Sequence, residues 1–195
     1  MIVLASGSAS RRAMLSAAGV SFTVTKPVGV DERALEAGLA GAAPPDVARA
    51  LASAKAEAVW AQQPGALVLG SDSLVVVAGR RFDKPASRAE AAEHLRFFSG
   101  QELQLHSAAA LVRGGQPVWS HAALARLQVR ALSEAFIEAY LVAEWPEIGH
   151  CAGAFRMEGL GVQLFETVAG DQFTILGMPL LPVLGALREQ GELAA

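Results

Sequence analysis

The run ALVLGSDSLVVV, residues 66–77, constrains the fold of this chain more than any other stretch. Its branched apolar residues predict a buried strand. In an extended backbone Asp72 shares a face with Val68, Gly70, Leu74 and Val76. An unpaired carboxylate among such neighbours costs several kcal/mol, or takes up a proton. Asp72 therefore needs a cation, a metal or a set of hydrogen-bond donors beside it. Two readings meet that need. Asp72 is a strand-end residue satisfied by backbone N–H groups, or it is a general base or metal ligand at the floor of a cleft.

The other elements follow from pattern and punctuation. Ile2 to Ala5 reads as a buried strand, and Ser8 or Ser10 caps a helix that ends at Gly19. Ser21 to Thr25 is a second strand, followed by a Pro/Gly-containing connection that carries Val30-Asp31-Glu32. Asp46 is expected to cap a helix reaching about Gln62, with Val47, Leu51, Ala54 and Ala58 as its apolar stripe and Lys55 at the margin. Ser87 opens a helix closed by Gly100. Two long strands, Leu103 to Val112 and Val118 to Arg130, flank the turn RGGQP. Ser133 to Glu144 is a capped helix ended by Pro146. The segment GLGVQLFETV predicts a strand, and Leu180 to Gln190 a final helix. Strands alternate with helices and at least one hairpin intervenes, so the class is α/β with a mixed sheet.

Strand, small-residue turn, then helix is the arrangement by which backbone N–H groups and a helix N-terminus receive phosphate. In LASGSASRR, residues 4–12, Ser6 and Ser8 add hydroxyls and Arg11 a planar charged fork. A capped helix carrying two exposed arginines fits the same residues. The Gly and Lys spacing of a Walker loop is missing. Lys84, fixed on an extended backbone by Pro85, projects predictably, and Glu32 matters if it shares a Mg²⁺ with phosphate oxygens. His150 beside Cys151 has no second pair at zinc-ligand spacing. His94, His106 and His121 read as structural or exposed, and Trp60, Trp119 and Trp145 as packing residues.

These pieces together resemble the Maf family of nucleotide pyrophosphatases. The resemblance rests on LASGSASRRAML, VDE, LASAKA around Lys55, GSDSLVVV, DKP, FFSG, CAGAFRMEGLGVQLFE and ILGMPL, in that order over nearly the whole chain. It implies a single elongated domain over residues 1–195, two-lobed, with a mixed, twisted sheet, flanking helices and a central cleft. It implies hydrolysis of a nucleoside triphosphate to the monophosphate and pyrophosphate with a divalent cation, Mg²⁺ or Mn²⁺, as in the disposal of non-standard nucleotides. By the same resemblance Asp72 is the proton acceptor, and Ser10, Ser73 and Glu158 tune the choice of base. The charge that a triphosphate brings gives the other expected roles: Ser6, Ser8, Arg11, Lys55 and Lys84 hold phosphate, and Glu32 and Asp72 hold the metal. SRRAML and CAGAFRMEGLG resemble the branch acting on 7-methyl-GTP, and Glu158 matches it. Ser10 and Ser73 depart from it, since that branch usually carries tryptophan and glutamine there. A pyrophosphatase of the dTTP/UTP type and a nucleotide-binding regulator of septum formation with little turnover are the alternatives.

Charge and composition narrow the partners. With 16 Lys and Arg against 19 Asp and Glu the formal charge is −3, unsuited to a broad nucleic-acid surface. Pro179 and Pro182 break the longest uncharged run near the C-terminus, so no membrane span is expected. One cysteine suits a reducing cytoplasm. The expected partner is a small nucleoside triphosphate; formation of a homodimer stays open.

Overall fold

The computed structural model describes residues 1–194. Along the chain it forms β1 (Ile2–Ala5), α1 (Ala9–Ala17), β2 (Phe22–Val24), α2 (Glu32–Gly38), α3 (Pro44–Trp60), β3 (Leu67–Val77) and β4 (Arg80–Phe82). There follow α4 (Arg88–Phe98), β5 (Glu102–Arg113), β6 (Gln116–Val129), α5 (Glu134–Glu144), β7 (Phe165–Ala169), α6 (Gln172–Ile175) and α7 (Leu180–Glu189). Short 3₁₀ turns cover Glu147–His150 and Leu160–Leu164. The strands make one open seven-stranded sheet, β2-β1-β3-β5-β6-β7, with β4 paired to β3. Strand β1 is parallel to β2 and β3, whereas β3/β4 and β6/β7 are antiparallel. The expected mixed α/β sheet is thus the observed one.

The chain divides into two units, and the division falls inside β3, β5 and β6. The first unit takes Met1–Ser73, His106–Ala123 and the residues from Asp171 onward. Strands β1 and β3 are buried on both faces, as parallel strands under helices on both sides must be. Ile2, Leu4, Leu67, Leu69 and Leu111 face α1 and α7 through Met14, Leu15, Leu180, Val183 and Leu187. The alternate residues Val3, Ala5, Val68 and Val112 face Ala56 and Val59 of α3. Consecutive side chains of each strand therefore serve opposite helix layers.

The second unit takes Leu74–Leu105 and Leu124–Gly170. Here α4 packs against α5, and Phe82, His94 and Phe98 form an edge-to-face aromatic cluster. Arg80 lies over the Phe82 ring at 4.7 Å. Ser87 and Ser133 cap α4 and α5 as expected, accepting from Glu90 N and Phe136 N.

Elements α2, α3 and β7 differ from the sequence reading. Asp31 caps a helix, α2, where a loop was expected, and accepts from Ala34 N. Asp46 lies in the first turn of α3, whose cap is Ala43. The buried face of α3 is Ala48, Leu51, Ala52, Ala56 and Val59, rotated from the expected stripe. The reason is close packing: a Cβ built on Gly70 would stand 2.0 Å from the Ala52 carbonyl oxygen and 2.9 Å from Ala56 N. Only small residues on α3 and none on position 70 permit that approach. Finally, the first half of GLGVQLFETV is a 3₁₀ turn, and only Phe165–Ala169 is strand.

Candidate functional site

The β1/β3 register pairs Ala5 with Gly70, so Ser6 emerges beside Ser71 and Asp72 runs one position beyond. Strand β1 hands the chain to β2 on one side and has β3 on the other, and α1 and α3 cover opposite faces. That is a topological switch point, where the carboxyl ends of strands in open α/β sheets leave a crevice for ligands.

Asp72 is 8 % exposed, and a cation meets its carboxylate. Lys55 Nζ donates to its Oδ1 at 2.5 Å. The same ammonium lies 3.0 Å from Glu32 Oε1, so one cation joins two carboxylates from α2 and β3. Glu32 reaches the site because Asp31 caps α2 and fixes it as the first helical residue. Lys55 reaches it because Gly70 lets α3 lie directly on β3. An ammonium has three protons, and two carboxylates leave one for a further acceptor.

The serine turn has a defined order. Ser8, not Ser10, caps α1, and its Oγ accepts from Arg11 N. Buried Ser6 accepts from Ser8 N and from Arg11 Nη1. Both hydroxyls act as acceptors within the turn, which leaves their protons to donate. Ser10 is half-buried within α1.

Arg11 is turned inward. Its Nε donates to the Gly177 carbonyl (2.9 Å), Nη1 to the Ser71 carbonyl (2.9 Å) and Nη2 to Ser73 Oγ (3.1 Å). Burial lowers the pKa of the guanidinium, while Asp72 and Glu32 oppose that shift. Ser71 Oγ also donates to the Gly177 carbonyl. Ser73 has one proton for two acceptors, the Gly177 carbonyl at 3.0 Å and Ser107 Oγ at 2.9 Å. Ser107 in turn donates to the Thr174 carbonyl at 2.7 Å. Sequence reasoning gave no role to Ser71, Ser107 or the Gly177 carbonyl; Ser71 and Gly177 lie in the family-like segments GSDSLVVV and ILGMPL, and Ser107 lies in none.

The remaining candidates belong to the second unit. Lys84 and Glu158 are exposed. Both bear on Cys151, whose thiol pKa is raised by burial first and by Glu158 next, with Arg156 and Lys84 pulling it down. The segment around Glu158 is held by Glu144, which sequence reasoning also missed. This buried carboxylate accepts from Arg156 Nε and Nη2 at 3.0 and 2.8 Å and from Leu160 N at 3.2 Å. Tyr140 adds a bond from its hydroxyl to the Ala154 carbonyl at 3.1 Å.

Among the described residues no cluster of three or more His, Cys, Asp and Glu is arranged around a common metal position. Two carboxylate oxygens converging on one cation do suit a magnesium ion, which binds through one or two carboxylates and completes its shell with phosphate and water. No helix among the described residues is long and apolar enough to cross a membrane.

Fold and site together define an open α/β protein with a lysine-bridged carboxylate pair at its switch point, beside a serine-lined strand–helix turn. The chain belongs to the family of Maf-like proteins, whose model matches residues 1–190. It is 47 % identical to the 7-methyl-GTP pyrophosphatase of Rhizobium meliloti over all of this chain and 98 % of that one. It is 46 % identical to the nucleoside triphosphate pyrophosphatase of Rhodopseudomonas palustris, over 99 % of this chain and 95 % of the other. A 7-methyl-GTP pyrophosphatase of Rhizobium etli is 47 % identical over 98 % and 97 %.

Proposed function

We propose that this chain is a nucleoside triphosphate pyrophosphatase that releases pyrophosphate and a nucleoside monophosphate, with a 7-methyl-GTP-like nucleotide as substrate. The reading rests on one observation, the Asp72 carboxylate held by Lys55 at the mouth of the serine turn. It draws further support from the names of relatives close to half identical over 95–98 % of their length.

Ser6 and Ser8 donate their free protons to phosphate oxygens. Lys55 turns from the carboxylates to donate to phosphate as well. Arg11 works from behind, anchoring Ser71 and Ser73 while its fixed charge favours anions nearby. Glu32 and Asp72 would hold a divalent cation, which would supply charge neutralisation on the phosphates and a more acidic water. Asp72 takes the proton of a water attacking the α-phosphorus; the bond to the bridging oxygen breaks, and pyrophosphate leaves with that electron pair. Positioned charge supplies most of the acceleration.

The choice of a 7-methylated guanine rests on the names of two relatives, both 7-methyl-GTP pyrophosphatases. Ser73 is engaged by Gly177, Ser107 and Arg11, so base reading falls to other groups. Such an enzyme clears non-standard nucleotides in the cytoplasm.

Asp72→Asn keeps the shape and loses the base. With Mg²⁺, it is expected to lower pyrophosphate release by roughly 10²–10⁴-fold, assayed over GTP, 7-methyl-GTP, dTTP and UTP. Near wild-type turnover in a folded Asp72→Asn protein refutes the base assignment. Tight nucleotide binding without pyrophosphate release by the wild type would instead favour the regulator.

A further inference from the structure

Lys55 occupies the very point at which Glu32 and Asp72 converge, 3.0 and 2.5 Å from their oxygens. We propose that Lys55 is the resident counter-ion of the substrate-free site, and that arriving nucleotide phosphate draws it off, so the Glu32–Asp72 pair accepts a divalent cation tightly only together with nucleotide. The proposal deepens the pyrophosphatase reading and rests on it.

Three features carry it. The first is competition: an ammonium hydrogen-bonded to both carboxylates fills the position a second cation would need. Side chains of Lys55 and Asp72 are only 12 % and 11 % exposed, so water screens their attraction weakly. The second is mobility of the right part. Gly70 pins the backbone of α3 to β3, but a lysine ammonium rides on a flexible four-carbon stem and can swing without moving the helix. Glu32, 46 % exposed, is the looser partner and yields first. The third is that Arg11, whose charge acts on both Asp72 and Glu32, is not free to take its place. The Arg11 guanidinium is committed to Gly177, Ser71, Ser6 and Ser73. When the ammonium leaves for phosphate, two carboxylates are left uncompensated in a half-buried place, which is costly. They then bind a divalent cation well. Lys55 thus couples the two ligands through a reciprocal free energy.

The test measures Mn²⁺ binding by electron paramagnetic resonance without nucleotide. Lys55→Met and Lys55→Gln are expected to bind Mn²⁺ at least tenfold tighter than wild type, about 1.4 kcal/mol. Lys55→Arg, which keeps the charge, is expected to stay as weak as wild type. Equal affinity in wild type and the neutral variants overturns the proposal, as does absence of binding in folded neutral variants. The wild type supplies a reading that needs no variant. Mn²⁺ should broaden the amide resonances of Ser71, Asp72 and Ser73 when an α,β-methylene nucleoside triphosphate is present and leave them sharp when it is absent. Broadening by Mn²⁺ alone at equal concentration overturns the proposal. Pyrophosphate release by the same wild-type preparation separates the two claims: the pyrophosphatase reading falls if no triphosphate is cleaved, whatever the metal affinities.

Discussion

Replacing Gly70 by alanine adds one carbon at the tightest contact between α3 and β3. That carbon would meet the Ala52 carbonyl oxygen at 2.0 Å, Ala56 N at 2.9 Å and Ala56 Cβ at 3.0 Å. All three atoms belong to the helix backbone or to side chains with no rotamer to change. Relief must come from moving α3 outward. Overpacking of a core by one methyl costs about 1–3 kcal/mol, and a backbone obstacle places this variant near 3. For a chain of this size each kcal/mol shifts Tm by about 2–4 °C, so Gly70→Ala should melt roughly 6–12 °C below wild type. A second consequence separates this site from a general core defect. Lys55 rides on the same helix, and an outward shift stretches its 2.5 Å contact with Asp72. Pyrophosphate release should fall well below wild type at temperatures where the variant is fully folded. Gly185→Ala in α7 is the control, because its Cβ meets nothing within 4 Å. Helix propensity should make it more stable by about 0.5–1 kcal/mol with unchanged turnover. Calorimetry and a pyrophosphate assay on both proteins decide the matter. A Gly70→Ala protein with wild-type Tm and wild-type turnover refutes the packing argument.

Ser73→Ala removes a hydroxyl that joins Arg11, Gly177 and Ser107, and should cost about 1–2 kcal/mol in denaturant titration. The ranking of nucleotide bases should stay the same; an altered ranking would make Ser73 a base reader after all. Tyr140 is the only tyrosine, and burial, followed by the negative charge of Glu144, raises its pKa well above the ordinary value of about 10. A raised folded pKa means its contribution to stability is complete below about pH 10 and is lost as pH climbs toward the folded value. Phenolate absorbance should therefore appear only with unfolding, and Tyr140→Phe should flatten the loss of stability above pH 10. Phenolate formation near pH 10 in a still-folded protein would contradict that.

Much of the scaffold was legible because its signals are local. Ser87 and Ser133 announced α4 and α5 by their caps, and the paired glycines 114 and 115, both at positive φ, announced the β5/β6 turn. The comparable turn before β4 went unseen because Ala78 holds one of its two positive-φ positions, where asparagine or glycine is the usual signal. Helix α2 was hidden for a different reason. Asp31 and Glu32 look like solvated acids, although Asp31 is a cap followed by Leu35 and Leu39 at helical spacing. In the site, the isolation of Asp72 among apolar residues pointed to a partner, but nothing local could name Lys55 over Glu32 or any other charge. The inward turn of Arg11 was not legible at all. It depends on a carbonyl 166 positions away and on the register between β1 and β3.

That distance has a consequence for synthesis. The Gly177 carbonyl receives Arg11, Ser71 and Ser73, and Met178 and Leu180 enter the same apolar cluster as Ile2 and Leu4. A nascent chain emerging from the ribosome holds every charged member of the carboxylate pair and its lysine long before it holds their keystone. The first unit cannot lock until residues 177–180 have been translated, so its early intermediates are the ones a chaperone would meet.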